Sequence, residues 1–284
     1  MLRCRFDVVN RIMHNATERG IERRKGDENL LEELSIDEKS FQKGHHYVSV
    51  LSDPAGGRVL EVVEHRALEA GISLIDKALT EEQRKAVKRI SLDMWQAFIS
   101  LAEEKLPSAE IVHDKFHLIK YLNEAIDKVR RREVKEHAEL KESRYALLKG
   151  RSAENLTEKQ RIKFEEIRAA NYEVSRAWEA RENFKEVFKN ASFQESESIF
   201  WEWYKSVKTT KINEVEKVAE MFAEHLRGVL NAMTGSLSNA MAERLNGKIQ
   251  LLKTVARGYR KFENFRSAVL FFYGKLSLFP LNYQ

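Results

Sequence analysis

Leu34-Ser-Ile-Asp-Glu38, His46-Tyr-Val-Ser-Val-Leu51, Asp53-Pro-Ala-Gly-Gly57 and Arg58-Val-Leu-Glu-Val-Val63 follow one another closely. The first, second and fourth are short runs of aliphatic and β-branched residues, and the third is a Pro/Gly turn. This reads as three strands, the last two joined as a hairpin. Upstream, residues 5–24 form an amphipathic helical pattern, with Val8, Val9, Ile12, Met13, Ala16 and Ile21 on one side. Downstream, a helix opens near Ala67, and Thr80-Glu-Glu-Gln83 has the capping-box pattern of another. Arg89-Ile-Ser-Leu-Asp93 is a fourth strand ending in acid. A helix from Trp95 to Lys105 stops before Pro107, and Ala109-Glu-Ile-Val-His113 is a fifth strand.

From Phe116 the pattern stays helical to about residue 230. No proline lies between Pro107 and Pro280, and a proline inside a helix costs about 3 kcal/mol. A polar link, Thr234-Gly-Ser-Leu-Ser238, precedes a last helix from about 239. The order predicts an α/β fold, a mixed sheet with helices on its faces, as in RNase H-like folds. There the first and fourth strands lie side by side, so Asp37 and Asp93 are expected to meet.

Composition narrows the function classes. The chain has 284 residues, 43% of them hydrophobic, enough for a sizeable core. No apolar run reaches the ~18 residues of a membrane span, and the charged start, MLRCRFDVVNRIMHN, does not read as a secretion signal. Cys4 is the only cysteine, which excludes an internal disulfide and any multi-cysteine zinc site. A cytoplasmic protein acting at the nucleoid, without a membrane partner, is expected. The net charge is +5, but residues 248–266 carry six Lys/Arg against one Glu, and the first 27 carry seven against four acids. Such patches point to a polyanion or to solvated helix faces.

Asp37, Asp93 and a carboxylate on a late helix, Glu243, form the candidate catalytic and metal-binding set. Phosphodiester chemistry can use two divalent ions about 4 Å apart, and three carboxylates held together repel one another without a cation. The chain has 44 acids, so spacing alone leaves rivals: Asp114 for the second position and Asp53 for the first. His45 and His46 are adjacent in a strand, point to opposite faces and do not easily share one ion; a surface or DNA-facing role is preferred.

Several segments resemble the catalytic core of bacterial insertion-sequence transposases of the ISL-three type. They are Ser35-Ile-Asp-Glu-Lys-Ser-Phe-Gln-Lys-Gly-His-His-Tyr-Val48, Ser91-Leu-Asp-Met-Trp95, Leu106-Pro-Ser-Ala109 and Ile111-Val-His-Asp-Lys-Phe-His-Leu-Ile-Lys120. Near the C-terminus they are Ser238-Asn-Ala-Met-Ala-Glu-Arg-Leu-Asn-Gly-Lys-Ile-Gln250 and Ala256-Arg-Gly-Tyr-Arg-Lys-Phe-Glu-Asn-Phe-Arg266. The resemblance spans about residues 30–275. It implies a DDE transposase with an RNase H-like core interrupted by a large all-helical insertion, using two Mg2+ ions that Mn2+ can replace. Asp37 and Asp93 match its two aspartates, and Glu243 its glutamate. The expected division is 1–27, a remnant of a helical DNA-binding region; 28–123, the first part of the core; 124–230, the insertion; and 231–284, the final core helices.

The resemblance also implies supporting residues. Asp114-Lys-Phe-His117 resembles a DxxH element, with Asp114 orienting His117 near the acids, or a plain helix cap. Asn239 and Asn246 flank Glu243 on one helix face and are expected to bond metal waters or DNA, or to cap and pack. Lys248, Lys253, Arg257, Arg260, Lys261 and Arg266 are the DNA-backbone candidates. Tyr259 and Phe262 are read as core or as base-stacking rings. Trp178, Trp201 and Trp203 are read as insertion core, one of them a possible support for a flipped base. Lys128-Val-Arg-Arg-Arg132 is expected to be a solvated face. Family members resembling this chain carry an upstream zinc-binding segment and helix-turn-helix, which this chain is expected to lack. The expected activity is cleavage at transposon ends and strand transfer into target DNA by a homodimer or larger assembly. The alternatives are a truncated, catalytically silent DNA-binding relative and another RNase H-like nuclease.

Overall fold

The computed structural model describes residues 5–26, 31–42, 46–64, 68–148, 157–187, 189, 192–235 and 240–280. Five strands, β1 (Glu33–Gln42), β2 (His46–Asp53), β3 (Arg58–Glu64), β4 (Arg89–Leu92) and β5 (Glu110–His113), form one sheet in the order β3-β2-β1-β4-β5. β1, β2 and β3 are antiparallel neighbours, and β1 and β4 pair in parallel. This is the α/β, RNase H-like arrangement expected from the sequence.

Side-chain alternation explains how the sheet is covered. Leu34, Ile36, Leu51, Leu60 and Ile90 pack with Leu74 and Ile75 of α2 (Leu68–Ala78) and with Phe98, Leu101 and Ala102 of α4 (Gln96–Lys105). A separate cluster joins Val48, Val50, Val59 and Val62 to Leu245 and Ile249 of α12 (Ala240–Val255) and to Phe265, Val269 and Leu270 of α13 (Phe262–Tyr273). Fully burying one such side chain contributes about 1.5–3 kcal/mol. α3 (Glu81–Ala86) starts at Thr80 with both hydrogen bonds of the capping box.

Several boundaries differ from the expectation. β1 runs on to Gln42, because Lys39 and Ser40 pair with Val48 and Tyr47 of β2; Asp37 is therefore mid-strand, not terminal. β4 ends at Leu92, so Asp93 is the first residue beyond it. The single last helix is two, α12 and α13. Arg257 and Gly258, between them, have φ of 55° and 90°, which a right-handed helix does not admit. α1 (Phe6–Lys25) buries Ala16, Thr17, Gly20 and Ile21, while Val9 and Ile12 are exposed. α13 supplies the surface that covers its second half: Thr17 Oγ1 donates to Ser267 O at 3.4 Å. Arg23 donates to the carbonyls of Ser277 and Phe279 at 2.9 and 2.7 Å.

The chain divides into two compact units. One comprises Met1–Val112 with Leu237–Gln284, and holds the sheet, α1 to α4, α12 and α13; the other is His113–Ser236. The second is helical: α5 (Lys115–Glu133), a 3-10 turn at Ala138–Glu142, α6 (Arg144–Leu148), α7 (Glu158–Ala169), α8 (Glu173–Val187), α9 (Phe193–Thr210), α10 (Asn213–Glu224) and α11 (Leu226–Thr234). Its core stacks Phe184, Trp203 and Phe222, and Trp203 donates to Ala180 O at 2.7 Å. Trp178 packs on Phe164, and Trp201 is partly exposed beside Phe200. No helix among the described residues is long and apolar enough to cross a membrane.

Candidate active site

Strand register positions the two aspartates. Ser35 of β1 is level with Ser91 of β4. Asp37 lies two residues beyond Ser35 in β1, and Asp93 two beyond Ser91, one residue past the end of β4. The face that Asp37 occupies is that of Val50, its antiparallel partner, which belongs to the core shared with α12 and α13. Asp37 therefore faces the α12 side of the sheet.

Asp37 is held on both oxygens. Oδ1 accepts from the Glu38 backbone N–H at 2.7 Å. Oδ2 takes the Lys39 ammonium at 2.9 Å and a hydrogen bond from the Asn246 side-chain amide of α12. Asp93 Oδ1 accepts from the Met94 backbone N–H at 2.7 Å. Glu243 lies in the first turn of α12, exposed, one turn before Asn246. The structure thus brings Asp37, Asn246 and Lys39 together, while Asp93 follows the end of the neighbouring strand β4. Among the described residues no three His, Cys, Asp or Glu side chains are gathered as a metal ion would need, so Glu243 does not join the aspartates as a third ligand in this conformation. The aspartate pair suits a hard divalent ion in kind, since magnesium is commonly held by one or two carboxylates while keeping several waters. Asp37 Oδ2 already holds a cationic stand-in, the Lys39 ammonium. Sequence reasoning missed Lys39, although its i+2 position on a strand placed it on the face of Asp37.

The other expected residues fall as follows. Asn239 and His45 lie outside the described residues, and His46 is exposed at the start of β2. Asp114 caps α5 of the helical unit, accepting from Phe116 N–H at 2.8 Å, with His117 Nδ1 at 3.6 Å from its carboxylate. Asp53 is spent on the β2–β3 turn, accepting from Gly56 N–H at 2.7 Å and Arg58 Nε at 2.9 Å. In the run expected to be a solvated face, Arg130 is buried and both Arg130 and Arg131 pair with Asp127.

The basic candidates divide. Lys248, Arg257, Arg260 and Lys261 are exposed. Lys253 donates to Ser40 O at 2.7 Å. Arg266 bonds both oxygens of Glu61, at 2.7 and 2.6 Å, and Glu18 at 2.7 Å. Its donors are turned to carboxylates, because Glu61 on β3 is fully buried and needs a counter-charge. Tyr259 and Phe262 pack against the core cluster of α12 and α13, and burial pushes the Tyr259 phenol up, with Tyr273 adding to it.

The chain is similar in sequence to known proteins. A family model described as Transposase, of the DDE ISL3 type, matches residues 34–269. The transposase for insertion sequence element IS1001 of Bordetella parapertussis is 28% identical over 250 residues, covering 85% of this chain and 61% of that protein. The transposase for IS1557 of Mycobacterium tuberculosis (strain H37Rv) is 26% identical over 258 residues, covering 81% and 57%. The chain thus spans about three fifths of the length of these relatives. With a matched region that takes in Asp37, Asp93, Glu243 and all five strands but the first residue of β1, the chain belongs to the ISL3-type DDE transposase family.

Proposed function

We propose that this chain is the catalytic core of an insertion-sequence transposase that cuts DNA at the element ends and joins the freed 3′-hydroxyl to target DNA. The observation that carries the reading is Asp37 on β1 and Asp93 just past the end of β4, each two residues beyond the paired Ser35 and Ser91 of neighbouring parallel strands, in a chain of this family. Asp37 and Asp93 would hold Mg2+, with Glu243 contributing from α12. Two such ions, when bound, activate the attacking oxygen and neutralise charge on the leaving one. Asn246 fixes the Asp37 carboxylate against α12. The exposed Lys248, Arg257, Arg260 and Lys261 engage DNA phosphates. With four such contacts, affinity should fall with salt at a log–log slope of roughly −3.6. Two element ends must be handled together, which calls for at least a dimer acting on DNA at the nucleoid.

The exposed position of Glu243 favours a second reading, a DNA-binding relative that does not cut. Purified protein incubated with element-end DNA and Mn2+ separates the two. Nicking and joining lost in Asp37→Asn and Asp93→Asn, with binding retained, supports the first. Salt-sensitive binding with no cleavage supports the second, and cleavage without joining identifies a plain nuclease.

A further inference from the structure

We infer that Lys39 competes with a divalent cation for Asp37 Oδ2 and so sets the metal affinity of the site; this rests on the reading of Asp37 as a metal ligand. A carboxylate oxygen has two in-plane acceptor directions. On Oδ2 the Lys39 ammonium, at 2.9 Å, and the Asn246 amide are the two donors, while Oδ1 takes the Glu38 N–H. A cation arriving at Oδ2 must displace a donor. Asn246 is neutral and sits on α12, whose Leu245 and Ile249 are anchored in the core. Lys39 sits on a flexible stem with a side chain 29% exposed, and a dication repels it. Lys39 is therefore the donor that leaves. As residue i+2 on the strand it stays on the face of Asp37, where its charge meets the phosphate of a bound DNA strand.

The test is calorimetric titration of Mn2+ into the full chain without DNA at low ionic strength. Lys39→Met should tighten Mn2+ binding about tenfold, equal to 1.4 kcal/mol, and the gain should shrink with added salt. Lys39→Arg keeps the competing charge and should stay close to the parent. Lys39→Gln is the second neutral variant, and melting in EDTA verifies that each variant is folded. If Asp37→Asn abolishes Mn2+ binding while Lys39→Met and Lys39→Gln bind with parental or weaker affinity, the competition is refuted and the metal site stands. If Asp37→Asn binds Mn2+ like the parent, the metal role of Asp37 fails and the inference falls with it.

Discussion

Arg266→Leu tests whether the cation in the middle of the basic C-terminal segment serves the fold or the DNA. In the structure Glu61 is fully buried, with both oxygens bonded by Arg266 and one also by its neighbour Val62 N–H at 2.8 Å. Removing one partner of a buried ion pair costs about 3–5 kcal/mol, because the remaining charge is left without a counter-ion. Arg24 tempers that cost. It donates to Leu60 O at 2.6 Å, and its guanidinium feels Glu61. Its pKa is lowered to about 10, chiefly by burial, with the Arg58 and Arg266 charges lowering it as well and Glu61 raising it. With Arg266 gone, one repulsion on Arg24 disappears and Glu61 keeps one nearby cation, so a loss near 3 kcal/mol is expected. Glu18 is 43% exposed on its side chain and loses little. Amide hydrogen exchange over Val59–Val63 reads the loss locally, without interference from the helical unit. The paired change Glu61→Leu with Arg266→Leu should recover most of it, since apolar replacements of similar volume are often neutral or better. A single variant with parental exchange protection but weakened DNA binding would refute the structural role and return Arg266 to the DNA surface.

Two glycines of opposite character make a second prediction. A Cβ at Gly228 would fall 2.6 Å from the buried His113 ring, so Gly228→Ala should destabilise the helical unit by about 1–3 kcal/mol; Gly247 in α12 has nothing within 4 Å, so Gly247→Ala should stabilise by about 0.5–1 kcal/mol, both measured by chemical denaturation. Burial raises the Glu214 pKa, yet the Arg132 hydrogen bond at 3.0 Å, a backbone hydrogen bond and the Arg132 and Lys217 charges together outweigh it and leave the carboxyl below its ordinary 4.5. A depressed carboxylate stabilises above its unfolded pKa and loses that contribution as pH falls through the folded value, so Arg132→Ala should cost about 1 kcal/mol or less at pH 7, and the share held by Glu214 should vanish once it is protonated, leaving the Glu173 pair, as read by urea midpoints across pH.

The chain order of strands and helices was legible because each signal is local. Alternating apolar residues mark β2 and β3, the Thr80 box marks α3, and Pro107 follows the end of α4 within two residues. The absence of proline beyond Pro107 permitted a long helical region but could not divide it. That division depends on which apolar faces find one another, a property of packing between distant segments. The parallel pairing of the first and fourth strands was also readable, since it follows from the order of elements.

Residue order along the chain suffices for the α/β arrangement and the family, both carried by spacing along single strands and helices. Which charges are paired and which remain outward is settled by the folded structure. It turns Arg266 inward to the buried Glu61, sets Lys39 and Asn246 on Asp37, and leaves Arg257, Arg260 and Lys261 exposed. A charged side chain carries the same label in any sequence, but its partner is chosen by the elements that fold against it. Burial makes that choice costly to leave unmade.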